Sequence, residues 1–226
     1  MTLSNVQSCF MGMFKPSKSM KKQAFQGRYR ALIPVANGNE DLEVIAMIDV
    51  LRRADIDVVI ASVNNEETVT LMKGSRLVVD EPLVNVVHQQ WDLIAMAGGI
   101  PGAMNLAAST LLRERLRLQH KNKGIIGAIC LSPALVLKPA GVLDEMKIVT
   151  GNPLAIKTPE QSWPADHFTS ILGDRFDATF RVISDEEQQI VLSQTPGTAI
   201  EYAIAMVKML CGEERANAII NYFLVR

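Results

Sequence analysis

The 226-residue chain has few cysteines, no long apolar run and no excess of either charge. Cys9, Cys130 and Cys211 are its three cysteines, far apart and odd in number. That excludes a disulfide framework and the paired spacing of a zinc site, suits a reducing compartment, and leaves each thiol to be judged singly. The longest apolar stretches, such as Gly124 to Cys130, are strand-sized. None approaches the roughly 20 residues that span a bilayer, so no membrane segment is expected. The formal net charge of -1 argues against nucleic acid as a primary ligand. His88, His120 and His167 show no H-x-x-x-H spacing, and no metal is expected.

One further absence is local. Between Met1 and Asn39 there is no Asp or Glu, while Lys15, Lys18, Lys21, Lys22, Arg28 and Arg30 are present. Residues 1–28 therefore read as a basic, acid-free N-terminal extension to a single domain over 29–226. The expected location is cytoplasmic, or mitochondrial if the extension is a transit segment.

What is present is a composition that is 48% hydrophobic and 21% charged, which supplies a sizeable globular core. From Tyr29 onward, apolar runs alternate with helix-periodic segments. Strand-like runs are Ala31–Val35, Ile56–Ala61, Leu93–Met96, Ile125–Cys130, Ile148–Thr150, Phe180–Ile183 and Ile190–Leu192. The last two form a hairpin around Asp185–Glu187, and Thr68–Leu71 with Arg76–Val79 form another around Lys73-Gly74. Helical spacing marks Glu40–Ala54, a segment reaching about Asn122, a helix from Ser132-Pro133 to about Lys138, and Thr198–Leu210 and Glu214–Phe223. Continuous apolar strands alternating with helices predict an α/β fold: a doubly wound, mostly parallel sheet sandwiched by helices.

Ligands of such sheets gather beyond the carboxyl ends of the strands. Three segments place chemistry there: Asn37 to Glu43, Ala97 to Ala103 and Ile129 to Pro133. Ala128 and Ser132 flank Cys130 as small residues, the pattern of a nucleophile elbow between strand and helix. Ser132 as cap and Pro133 at the first helical position would set a helix N-terminus against the sulfur and favour thiolate. The bland alternative is a cysteine filling a core gap. Glu43, in the first turn of its helix, is either a surface carboxylate satisfying the dipole or an inward group that burial keeps protonated beside Cys130. Gly98-Gly99 is either a simple turn or a source of backbone N–H groups for an anion. It has neither the G-x-G-x-x-G order nor a P-loop lysine, so it is no nucleotide motif.

The ordered set Ala36-Asn37-Gly38-Asn39-Glu40-Asp41-Leu42-Glu43, Gly74-Ser75-Arg76, Ala97-Gly98-Gly99, Gly127-Ala128-Ile129-Cys130 and Ser193-Gln194-Thr195-Pro196-Gly197-Thr198 resembles the DJ-one branch of the ThiJ/PfpI superfamily, which includes YajL-like chaperone-deglycases. The resemblance covers roughly Arg30 to the C-terminus. It implies a flavodoxin-like sandwich, a homodimer, Cys130 as nucleophile and redox-sensitive thiol, and Glu43 as its protonated partner. It further implies backbone donors at Gly99 and Leu131, and Arg76 as an anion-binding residue near the dimer interface. The implied activity is cofactor-free handling of methylglyoxal and related dicarbonyls, as glyoxalase or deglycase. The alternative is a non-enzymatic oxidative-stress sensor or redox-regulated chaperone working through oxidation of Cys130.

Two positions depart from relatives within that superfamily. The protease-like branch has a His directly after the cysteine where Leu131 stands here, so peptide hydrolysis is not expected. Animal members of the DJ-one branch carry a His-Pro pair where this chain has Asn152-Pro153, which removes an imidazole from proton transfer and puts turnover in question. YajL-type members also lack that His.

Overall fold

The computed structural model of the chain describes residues 29–225; the basic stretch before Tyr29, and Cys9 within it, lie outside the described residues. β1 (Arg30–Val35) is buried from Ala31 onward. Such a strand has no polar face to give to water and needs cover on both sides. α1 (Asp41–Arg53) follows, with Glu40 as its N-cap accepting the Glu43 N–H at 2.8 Å. Val44, Met47, Ile48 and Leu51 form its buried stripe, as their spacing predicts. Acidic residues in the first turn and Arg52 and Arg53 in the last complement the helix dipole.

β2 (Asp57–Ser62) precedes a separate small hairpin of β3 (Thr68–Thr70) and β4 (Arg76–Val78). β5 (Glu81–Pro82) and the short α2 (Leu83–Val86) lead to β6 (Leu93–Met96). The segment expected as one helix to Asn122 is two, α3 (Gly102–Ala108) and α4 (Thr110–Lys121). Ser109 breaks it: its backbone is extended, and its hydroxyl accepts the Leu112 N–H at 3.3 Å to start α4 afresh.

β7 (Ile125–Ile129) ends at Cys130. The regular helix expected after it is instead a single π-helical turn, Pro133–Leu137. Ser132 does not cap it; the hydroxyl donates to the Ala97 carbonyl at 2.6 Å, tying the end of β7 to the end of β6. The strand expected at Ile148–Thr150 shrinks to an isolated bridge between Val149 and Phe176. β8 (Ile156–Lys157), β9 (Ser162–Trp163) and α5 (Asp166–Leu172) then appear where the sequence offered no clear period. β10 (Val182–Asp185) and β11 (Ile190–Ser193) form the expected hairpin, and α6 (Ala199–Cys211) and α7 (Glu213–Phe223) close the chain.

The main sheet runs β10-β11-β7-β6-β1-β2-β5. Every adjacent pair is parallel except β10 with β11. The chain leaves β1 for β2 on one side and later returns to place β6 on the other. β1 and β6 therefore flank the topological switch point, where a crevice opens at the carboxyl ends. α1 packs against α6, and α6 also lies on β7 and β11. Gly127 lets Tyr202 of α6 come close to β7, since a Cβ there would run into the tyrosine hydroxyl and the Met206 sulfur.

Candidate active site

Three chain reversals meet at the switch point: the turn after β1, the Gly98-Gly99 turn after β6, and the elbow after β7. Asn39 fastens the first two. It is fully buried, accepting the Ala36 N–H at 2.7 Å and donating to the Gly98 carbonyl at 2.8 Å. The Glu40 N–H reaches the same carbonyl at 3.2 Å. The third reversal is fastened through the backbone of Cys130, whose N–H donates to Ser193 at 3.1 Å and whose carbonyl accepts from Asn152 at 2.8 Å.

Cys130 sits at φ 65°, in the left-handed region that favours glycine. A β-carbon there is strained by on the order of 1–3 kcal/mol, a conformation held only because the neighbouring bonds over-determine it. The strain aims the sulfur at the crevice. A Cβ on Gly98 would lie 2.6 Å from the Cys130 Cβ and 3.0 Å from its Sγ, so only glycine admits this approach. The Gly99 and Leu131 backbone N–H groups both bond the sulfur.

Glu43 faces inward. It is fully buried, and Oε2 accepts the Gly98 N–H at 2.7 Å. Burial pushes its carboxyl from the ordinary 4.5 up to about 8, opposed by the Gly98 bond and reinforced by Glu40 nearby. The carboxyl and the Cys130 thiol are close enough to perturb each other as hydrogen-bonding groups. Yet Oε1 closes no bond of regular geometry, which is the arrangement of a neutral carboxyl poised beside a thiol. The thiol itself corrects the expectation from its place before a helix. Burial is the largest influence and pushes it well above its ordinary value, the Glu43 charge adds to that, and the two N–H groups only partly oppose it. Desolvation and the Glu43 carboxyl thus work against thiolate, and one π-helical turn and two donors offset them only in part.

Cys130 is only 6% exposed but is not walled in. It lines a cavity of about 220 Å³ with Gly99, Leu131, Met72, Ile100, Leu154 and Pro196, among others. Of the five residues singled out in the sequence, Cys130, Gly99 and Leu131 line this cavity, and Glu43 lies fully buried beside Cys130 without lining it. Arg76 does not line this cavity; it is exposed on β4. Sequence reasoning misses other lining residues, of which Glu40 and Asn152 matter most for the chemistry. Glu40, half-buried with its carboxyl raised mainly by burial, lines the cavity, as does Asn152. The three carboxylates crowded into the start of α1 were the available signal for Glu40. The Asn152 amide turns back on its own loop, donating to the Leu154 carbonyl at 2.8 Å and accepting its N–H at 3.3 Å, so it is occupied structurally. Cys211 is half-buried far along the chain, His88 and His167 are exposed, and no metal-binding cluster occurs among the described residues.

The sequence model of the DJ-1/PfpI family matches residues 29–209. The chain belongs to that family. DJ-1 homolog B of Arabidopsis thaliana is 35% identical over 85% of this chain, although the chain spans less than half the length of that relative, 40%. A Caenorhabditis elegans member, named a glutathione-independent glyoxalase, is 34% identical over 80% of this chain and 88% of its own. Among solved structures, oxidized DJ-1 of Toxoplasma gondii superposes with a TM-score of 0.74 at 33% identity, covering 87% of this chain and 98% of that one.

Proposed function

We propose that the chain is a cofactor-free, cysteine-dependent glyoxalase or deglycase acting on methylglyoxal and related reactive carbonyls. The observation that carries this reading is a cavity-lining thiol in contact with a buried carboxyl whose pKa is about 8. A carboxyl titrating near working pH exists in both forms and can move a proton either way. The nematode relative named as a glyoxalase supports it.

The sulfur adds to the aldehyde carbon, and the thiol proton passes to the carbonyl oxygen, giving a hemithioacetal. The Gly99 and Leu131 N–H groups stabilise the charge on sulfur as the S–H bond breaks. Glu43 takes the hydrogen of the former aldehyde carbon as a proton and returns it to the adjacent carbon through an enediol, while the hemithioacetal hydroxyl proton passes to the oxygen on that adjacent carbon. One carbon is thereby oxidised and its neighbour reduced, so no external electron acceptor is needed. Water cleaves the resulting thioester, releasing lactate and restoring the thiol. The test is lactate formation from methylglyoxal without glutathione or metal. Cys130→Ala is expected to abolish it, and an undiminished rate in that variant overturns the reading.

A second reading is redox sensing through the same sulfur. Two N–H donors and a neutral carboxyl are the groups a sulfinate would need for its oxygens. Mild peroxide should then add two oxygens to Cys130 before Cys211; the reverse order argues against it. A homodimer belongs to the same proposal, supported by Leu42 and Ile45, which stand 53% and 47% exposed on α1. Light scattering of the full chain decides it, a monomeric mass counting against.

A further inference from the structure

A second chamber, of about 350 Å³, adjoins the catalytic cavity and shares Met72, Lys73 and Ile100 with it. Its far wall is the β8–β9 hairpin, from which Ile156 faces the catalytic cavity while Lys157 and Trp163 line the second chamber. The two chambers differ in character. The catalytic cavity holds the thiol and is lined mainly by apolar groups, with Glu40 and the shared Lys73 as its charged residues; the second chamber adds Lys157, and Glu160 is the one carboxylate among its lining residues. Neither lysine is in an ion pair with another described residue.

Both lysines stand on fixed backbone. The turn carrying Lys73 is pinned to the start of α1, where Asp41 accepts the Lys73 N–H at 2.7 Å and the Ser75 N–H at 3.2 Å. The Met72 N–H reaches the Asn39 carbonyl at 2.8 Å. Lys157 pairs with Ser162 across the hairpin, whose end is closed by the Thr158 N–H on the Gln161 carbonyl at 2.8 Å. Lys73 feels the charge of Glu40 across the mouth of the apolar reaction chamber, while Lys157 stands beyond it; together the two ammonium groups on rigid supports form a receptor for negative charge beside the thiol's cavity.

We infer that this second chamber is a specificity subsite for an anionic group, carboxylate or phosphate, borne by the carbonyl substrate several bonds from its reacting aldehyde. The inference rests on the proposed glyoxalase reading and narrows its substrate class. A three-carbon dicarbonyl occupies only the catalytic cavity and leaves Lys157 to water. A longer 2-oxoaldehyde with a terminal anion fills both chambers, reaching Lys73 first and Lys157 beyond it.

The test compares phenylglyoxal with 4-carboxyphenylglyoxal, equal in reactive group and different in the distal charge. The kcat/KM ratio should favour the carboxylated substrate in the native chain and fall about tenfold in Lys157→Met, with Lys157→Arg restoring it. Phosphate-bearing and carboxylate-bearing substrates of equal length then tell which anion fits better. Binding of the unreactive 4-acetylbenzoate to Cys130→Ser, by calorimetry, separates the two claims. Lysine-dependent binding without turnover of any glyoxal defeats the glyoxalase reading and keeps the anion subsite. Turnover of both glyoxals with a ratio unmoved by Lys157→Met defeats the subsite and keeps the glyoxalase reading. No turnover together with no lysine-dependent binding defeats both.

Discussion

Cys130 and Cys211 stand at opposite kinds of chain end. Cys211 is the last residue of α6, where the helix presents carbonyl oxygens and the negative end of its dipole. The Gly212 N–H closes that end on the Lys208 carbonyl at 2.9 Å. Cys130 stands where β7 stops, its sulfur met by two backbone N–H groups and a carboxyl. The half-buried Cys211 is the more accessible of the two, yet the carbonyl end of a helix works against charge on its sulfur. Accessibility and the presence of groups that can take up charge on sulfur are therefore separate properties.

The largest effect expected from that difference is in turnover. Cys130→Ala should lower lactate formation by about 10³-fold or more, while Cys211→Ala leaves it within about twofold. Equal losses would mean that the two thiols are not distinguished by their surroundings.

Glu43→Gln comes next, and it sharpens the comparison by separating proton transfer from thiol ionisation. Glutamine keeps an acceptor for the Gly98 N–H but carries no proton to shuttle, so the rate should fall about 10²-fold or more. Both influences of Glu43 on Cys130 raise the thiol pKa. The variant should therefore ionise at lower pH than the native thiol, as read from the pH dependence of alkylation by iodoacetamide. A thiol that ionises more easily in an enzyme that works less well identifies the carboxyl as proton carrier. If the alkylation profile moves to higher pH instead, the carboxyl serves to stabilise thiolate.

The same group links stability to pH. Its pKa is 4.5 when exposed and about 8 in the fold, so between those values the native state holds a proton that the unfolded state has released. Stability from this group is fully present below about 4.5 and is lost as pH rises toward 8, by on the order of 5 kcal/mol. Urea unfolding at pH 5 and pH 8 should show the fall in the native chain and much less of it in Glu43→Gln. A slope unchanged in the variant assigns the titration to another group.

The fold was legible where hydrophobic period is strong. β1, β6 and β7 are unbroken apolar runs and α1 shows its stripe, so the sheet and its carboxyl edge followed from residue order. Ser109 and Ser132 mark where period was not enough: each is a small polar residue whose role depends on which carbonyl or N–H stands opposite it. Ser109 caps a new helix, whereas Ser132 bonds across to Ala97, a partner 35 residues away. The stretch from Gly151 to Asp177 was poorly read because its hairpin has two-residue strands and its bonds are mostly local. The inward turn of Glu43 was undecidable from spacing, since it depends on the Gly98 N–H 55 positions on. The balance at the thiol is not legible either, because a helix start is visible in sequence and the amount of desolvation is not.

The smallest effects concern the glycines near the two cysteines. Gly98→Ala would place a methyl 2.6 Å from the Cys130 Cβ and 2.9 Å from the Leu131 nitrogen, atoms of a strained elbow with little room to move. Overpacking of this kind costs about 1–3 kcal/mol, and here relief would also turn the sulfur away from Glu43. Gly212→Ala meets no atom within 4 Å and has only its φ of 88° to overcome, about 1 kcal/mol. Thermal unfolding should rank the two modestly apart, but alkylation and turnover should separate them widely, with Gly98→Ala impaired and Gly212→Ala close to native. If Gly98→Ala keeps the native rate at native stability, the close approach of the β6 turn to Cys130 is not what aims the sulfur.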